Sequence, residues 1–229
     1  MIKNLKWVAL FAVVHLFSAS IFGQKSKPKA PQTPKAVITA DPIDANEILG
    51  IVEDHTYTNK FFGFELKVPD DMTILERPQQ ELYSEAGIDI IKSKADGSTS
   101  QFDSAYKRTI NLLVISKLPP GTSGNSAAEF GTTKQMTGVT SKMVMAATAS
   151  VMTSTGSFKL VANLPSKKFG GFTFVGSDFE STAFDVPLDH RIYITMHKGF
   201  SLVISITTSK DAGFTEFEDL FENIKPIKK

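Results

Sequence analysis

Cysteine is absent from all 229 residues. That excludes disulfide staples, Cys-ligated zinc, iron–sulfur clusters and thiol nucleophiles. It also leaves no thiol for a lipid anchor near the N-terminus. With no staple, an ordered domain has to rest on a buried apolar core. No strong excess of one charge is present either: 25 basic side chains stand against 24 acidic ones, a net +1. The balance is uneven along the chain. Residues 1–40 hold six of the lysines and no acid, so the remainder carries 19 basic against 24 acidic residues. A nucleic-acid binder presents a basic face to a polyanion, and this acidic body excludes nucleic acid as a partner. The sequence lacks HExxH, HxH and EF-hand patterns, a G-x-S-x-G elbow and a lysine-bearing phosphate loop. It also lacks any long apolar run beyond its first 22 residues.

That one run is informative. Lys3 and Lys6 form a basic head, Trp7–Phe22 is apolar apart from His15 and small serine and alanine steps, and Ser18–Gly23 is rich in small residues. This order of charge, apolar core and small residues is that of a secretory signal. Its 16 apolar-stretch residues fall short of the ~20 a membrane-spanning helix needs. A cleavable signal peptide is therefore expected over 1–23, cut after Ser20 or Gly23, giving a secreted or periplasmic protein that is not a lipoprotein. Residues 24–46 follow as a Pro/Lys-rich disordered tether, with Pro28, Pro31 and Pro34 favouring extended chain. Its Lys25, Lys27, Lys29 and Lys35 suit a solvated spacer, with weak contact to an anionic surface as the second reading. Residues 47–229 are expected to form a single domain.

Within that domain, Phe64, Leu66 and Val68 alternate with Glu65 and Lys67, and Pro69 stops the ladder, so Thr56–Asn59 and Phe64–Val68 read as strands. Leu82, Ala86 and Ile90 give a four-residue spacing, predicting a helix over Gln79–Lys94, with a strand at Ile88–Ile91 as the alternative. Arg108–Lys117 is apolar almost throughout, which predicts a central strand covered on both faces. Ser126 and Glu129 have capping-box spacing, predicting a helix to about Thr137, with Ser141–Thr153 a second helix or its continuation. Gly171–Glu180 reads as a strand, and His190–His197 with Phe200–Thr208 as a hairpin turning at Lys198-Gly199. Asp211 is expected to cap a closing helix with Phe214, Phe217, Phe221 and Ile224 as its apolar stripe.

The run Tyr57-Thr58-Asn59-Lys60-Phe61-Phe62-Gly63-Phe64-Glu65-Leu66-Lys67-Val68-Pro69 resembles the opening of PsbP-like domains. Such domains commonly begin with a tyrosine, an asparagine, an aromatic-Gly-Phe step, an alternating strand and a proline. Lys198-Gly199-Phe200 similarly resembles that family's lysine-glycine-aromatic hairpin. The letters agree at these two ends and the layout over residues ~54–227. Asp70-Asp71-Met72-Thr73 stands where the family's opening carries a tryptophan. The resemblance implies an α/β (α+β) fold: a central, mainly antiparallel sheet flanked by helices on both faces, an α/β/α sandwich. It implies no catalytic residues, and its motif residues Tyr57, Asn59, Phe62, Gly63, Phe64 and Pro69 are structural. Gly63 is expected to let the backbone turn between two large rings.

Three histidines lie beyond the leader: His55, His190 and His197. Each of the first two adjoins an aspartate, but neighbours in a strand point to opposite faces, so no chelating pair results. No metal and no cofactor is expected, and the histidines read as surface or edge residues. The most suggestive feature is one face of the hairpin, where Arg191, Tyr193, Thr195 and His197 oppose Ile192, Ile194 and Met196. Ser201, Val203, Ser205 and Thr207, with Thr173, Val175 and Ser177, are read as extending that polar face. Arg191, Tyr193 and His197 are its candidate ligand-binding residues, suited to a small polar or acidic group. The leading functional expectation is a non-enzymatic binding or accessory module with a protein partner in the envelope. The alternatives are a small-ligand carrier using that face and a hydrolase with a site assembled from dispersed residues.

Overall fold

The computed structural model describes residues 48–94, 109–118, 126–154, 156–181, 187–210 and 212–227. The expected signal peptide and tether, and the Asp211 cap, lie outside them. The chain forms β1 (Ile51–Glu53), β2 (Thr56–Asn59), β3 (Phe64–Lys67), β4 (Thr73–Ile74), α1 (Arg77–Lys94), β5 (Ile110–Ser116) and β6 (Ala127–Lys134). It continues through α2 (Ser141–Ser154), β7 (Phe158–Phe169), β8 (Phe172–Ser181), β9 (Leu188–His197), β10 (Phe200–Ser209), α3 (Thr215–Glu222) and β11 (Lys225–Pro226). The fold is mixed α+β. Where one central sheet was expected there are two antiparallel sheets, ordered β1-β2-β3-β11 and β4-β5-β6-β10-β9-β8-β7.

The large sheet is covered on both faces by different means. Helix α2 lays Val144, Met145, Val151 and Met152 over Phe158, Phe179, Ile192, Ile194 and Val203. On the opposite face the small sheet supplies Tyr57, Phe64 and Leu66, and α3 supplies Phe217, Leu220 and Phe221, against Phe130, Phe169, Phe174, Leu202 and Ile204. Much of this second cover is thus a sheet rather than helices. Rings meet edge-on within it, Phe169 on Tyr193 at 5.0 Å and on Phe174 at 5.4 Å, the geometry their quadrupoles favour.

The helix expected from Ser126 is strand β6. It pairs with β5 on one side and β10 on the other, and every residue from Ala127 to Thr133 is buried. A strand enclosed on both faces shows no period-2 alternation, so the local Ser126–Glu129 spacing was the only visible pattern, and two ladders overrode it. Strand β5 is buried on both faces from Leu112 on, yet it is second from the edge, flanked by the two-residue β4. A bulge between Asn111 and Leu113 places Leu112 and Leu113 in the same core. Helix α1 forms, and of its expected stripe Leu82 is 63% exposed, while Gln80 and Ser84 are buried.

The aromatic-Gly-Phe step is built around Asn59, which is fully buried. Its Nδ2 donates to the Ile48 carbonyl and to the Tyr57 hydroxyl, each at 2.7 Å, and its Oδ1 accepts from Phe62 N at 2.8 Å. Tyr57 in turn donates to the Leu49 carbonyl at 2.9 Å. Gly63 follows with φ +80 and open space where a Cβ would stand. At Gly170, φ is +56 and a Cβ would lie 2.2 Å from Ile224 Cγ2 and 2.9 Å from its carbonyl oxygen. Two different costs follow. Gly63→Ala should lose about 1–2 kcal/mol from backbone conformation alone, whereas Gly170→Ala should lose more, because Ile224 is buried and must move. Urea denaturation of the two variants checks the ranking; equal losses would show that the Ile224 segment yields freely.

Candidate functional site

The hairpin turn decides which side chains share a face. Lys198 and Gly199 both have positive φ, the two-residue turn that matches strand twist, so His197 pairs with Phe200. Arg191, Tyr193 and Thr195 therefore stand opposite Ile206, Ile204 and Leu202. Ser201, Val203 and Ser205 face the other way, beside Met196, Ile194 and Ile192. Val175 and Ser177 also pair with Ile194 and Ile192. The expected polar face is thus a short polar stripe set into an aromatic and aliphatic core, and the serines expected to extend it lie beneath α2.

Within that stripe the structure brings Arg191 and Tyr193 together and leaves His197 apart. Arg191 makes a bidentate pair with Asp178, Nε and Nη2 each at 2.7 Å, and its Nη1 donates to Glu218 Oε1 at 3.0 Å. Its guanidinium also stacks on Phe214, 4.3 Å from the ring centre. Tyr193 donates to the same Glu218 oxygen. Lys167 bridges Glu218 Oε2 and Glu222 Oε1, each at 3.0 Å. His197 sits among Phe62 and Phe172 with Nε2 3.2 Å from the Phe62 carbonyl.

Each group is set by these contacts. The Asp178 pair, opposed by burial and aided by Glu218, holds Arg191 firmly protonated above its ordinary value. Burial, the bond to Glu218 and that carboxylate's charge push the Tyr193 hydroxyl up. Burial alone would raise Glu218, but hydrogen bonds from Tyr193, Lys167 and Arg191 hold it below the usual carboxylate range. Two cations and three carboxylates therefore meet here, and the donors on Arg191 that the hydrogen bonds use face the chain's own acids. The arrangement fastens α3 to β7, β8 and β9. Its partners Asp178, Lys167 and Glu218 were missed by sequence reading. Asp178 stands opposite Arg191 in the β8–β9 register, and Lys167 and Glu218 are 51 residues apart, so no local spacing reveals them.

His190 corrects another expectation. It is fully buried beneath α2 rather than at an edge, with Nδ1 2.9 Å from Thr207 Oγ1 and its ring against Phe158. Burial pulls its pKa down to about 3. His55 lies in the β1–β2 turn, exposed. Among the described residues no three His, Asp or Glu side chains gather as a metal centre would require.

The helix held by this network forms one wall of an open cleft of about 670 Å³. Glu216, Asp219 and Leu220 of α3, with Asn223 just past its end, line it from one side. Thr56, Glu65, Lys67 and Lys225 line it from the outer face of the small sheet, with Pro69, Asp71 and Met72 between. Leu220 and Met72 are buried at its floor, and the charged groups form its rim. At one end Lys117 pairs with Glu216.

No protein-family model and no curated protein matches this sequence. Solved structures do, at the level of fold. The chain is similar to cyanobacterial PsbP from Synechocystis, at 11% identity over 75% of this chain and 91% of that one, with a TM-score of 0.45. It is similar to LpqN, involved in cell envelope biogenesis in Mycobacterium tuberculosis, at 11% identity over 72% and 83%, TM-score 0.40. A Bacteroides thetaiotaomicron crystal structure matches at 14% identity over 73% of this chain, TM-score 0.38; the chain spans about half of that protein, 46%. Among the described residues no helix is long and apolar enough to cross a membrane.

Proposed function

We propose that this chain is an exported, non-enzymatic accessory module of the cell envelope, and that a protein partner docks in the cleft between α3 and the small sheet. The observation that carries the reading is the form of that cleft: open, about 670 Å³, with an apolar floor of Met72 and Leu220 and a rim of both charge signs. An apolar centre inside a polar rim is the anatomy of a protein-binding surface. The Arg191 network supports the same reading over a carrier at Arg191 and Tyr193, because their donors are engaged by Asp178 and Glu218. Export is supported by the leader over residues 1–23.

Site-specific photo-crosslinking tests it. A crosslinking residue at Asn223, exposed at the cleft, should capture a discrete envelope protein in the producing cells. The same residue at Lys159, exposed on the β7 edge strand away from the cleft lining, should not. Equal capture at both positions, or none at Asn223, would overturn the assignment.

A further inference from the structure

Beyond residue 40 the chain holds more acid than base, yet one end of the folded domain is wholly basic. Four connections meet there: residues 60–63 between β2 and β3, 135–140 between β6 and α2, 170–171 between β7 and β8, and 198–199 between β9 and β10. Gln135 N donates to the Gly199 carbonyl at 2.8 Å, and Lys198 donates to the Phe61 carbonyl. Phe61 stands edge-on to Phe200 at 5.5 Å, and Phe172 to His197 at 4.9 Å. These contacts join the four connections into one surface. Lys60, Lys134, Lys142, Lys168 and Lys198 lie on them or within two residues of them, and all five are exposed. No aspartate or glutamate occurs in residues 60–63, 134–143, 168–173 or 197–200. Among the described residues, none of the five lysines pairs with a carboxylate. The far ends of the strands carry both signs instead: Asp54, Asp70 and Asp71, with Lys117 and Lys210.

Two large apolar side chains share the basic end, Met136 at 60% and Met143 at 45% exposure. Lysines gathered without counter-charges repel one another, and a methionine left in water forfeits the stabilisation of burial. A soluble polyanion would relieve the first cost and leave the second. A lipid leaflet with anionic headgroups relieves both, because apolar side chains enter the headgroup and acyl boundary while lysines stay on the phosphates. We infer that this end of the domain docks on the anionic leaflet of a membrane, with Met136 and Met143 entering the boundary between the five lysines. The lysine count falls within the range of about 4–8 that marks recognition of anionic lipid. The surface shares no residue with the lining of the α3 cleft, so lipid and a protein partner do not compete for a side chain.

The absence of cysteine permits a single dye to be placed in the full chain. Met136→Cys, and separately Val161→Cys, are labelled with polarity-sensitive nitrobenzoxadiazole. Val161 is 52% exposed in the half of β7 away from the basic end. Leader and tether are common to both variants, so their own lipid contacts cancel in the comparison. Vesicles of equal parts phosphatidylcholine and phosphatidylglycerol should shift the Met136 emission to the blue and leave Val161 unchanged. Adding Lys134→Gln and Lys142→Gln should raise the lipid needed for half of that shift about 25-fold, about fivefold for each lysine lost. Both lysines are exposed, so the domain still folds. No shift at Met136, an equal shift at Val161, an equal shift with phosphatidylcholine alone, or an undiminished response without the two lysines overturns the inference. An equal shift on polyglutamate without lipid also overturns it and assigns the basic end to soluble polyanions.

Discussion

Glu218→Ala lowers unfolding free energy by about 3–5 kcal/mol, the range for removing one partner from a buried ion pair, and releases α3. The size follows from what that carboxylate holds. One oxygen accepts from Arg191 and Tyr193 and the other from Lys167, with only 12% of the side chain exposed. Truncation leaves the hydroxyl of Tyr193, a residue only 2% exposed, without its acceptor, and Lys167 with Glu222 alone. A domain's whole stability is about 5–15 kcal/mol, so the variant should be marginal at room temperature. Glu218→Gln keeps an oxygen for Tyr193 while discarding the charge and should lose less, about 1–3 kcal/mol. Urea denaturation measures both, and hydrogen exchange over residues 215–222 reports on α3 directly. A loss under about 1 kcal/mol in Glu218→Ala would show that aromatic packing alone seats the helix.

That seating links the network to the cleft. Phe217 and Phe221 bury one side of α3 in the aromatic core, Glu218 anchors it between them, and Glu216, Asp219 and Asn223 are left to face the cleft. An eight-residue helix is too short to persist alone, and its start at Phe214 has no side-chain cap. The ring of Phe214 instead stacks on Arg191. Anything that docks in the cleft, as proposed above, therefore meets a helix whose seating depends on the ionised network.

What the sequence disclosed follows from the reach of its signals. The Phe64–Lys67 alternation, the Lys198-Gly199 turn and the Phe217–Phe221 spacing are local, and each element stands where its pattern lies. Strand β6 failed because burial on both faces erases alternation and leaves a misleading cap pattern. The polar face failed by one register step: a two-residue turn places His197 and Phe200 on the same side, so the even-numbered residues of β10 accompany the odd-numbered ones of β9. That parity was legible in the turn itself. The partners of Arg191 were not, because Asp178, Lys167 and Glu218 converge only through tertiary folding.

His190 and Glu129 should give the protein two opposed pH dependences that conceal one another. Both lie on the α2 face of the large sheet, flanking β10: His190 opposite Thr207 and Glu129 opposite Ser205. Burial holds His190 neutral, with a folded pKa of about 3 against about 6.5 unfolded. Between those values the unfolded chain binds a proton that the folded chain refuses. Its contribution is complete above pH 6.5 and is lost as pH falls toward 3, by up to about 1.4 kcal/mol per unit. Burial raises Glu129 well above 4.5, so its contribution is complete below pH 4.5 and is lost as pH rises through its folded value. Where the two ranges overlap above pH 4.5 the slopes oppose, so each group masks part of the other's pH dependence. Below pH 4.5 His190 and the depressed Glu218 both lose stabilisation, and acid unfolding should be steep. His190→Gln should therefore gain stability as pH falls toward 4.5, whereas Glu129→Gln should lose it from pH 6.5 to 4.5, by up to about 2.7 kcal/mol over those two units. Urea denaturation at half-unit pH steps separates the two, and variants that both retain the wild-type profile would show that neither buried group titrates with folding.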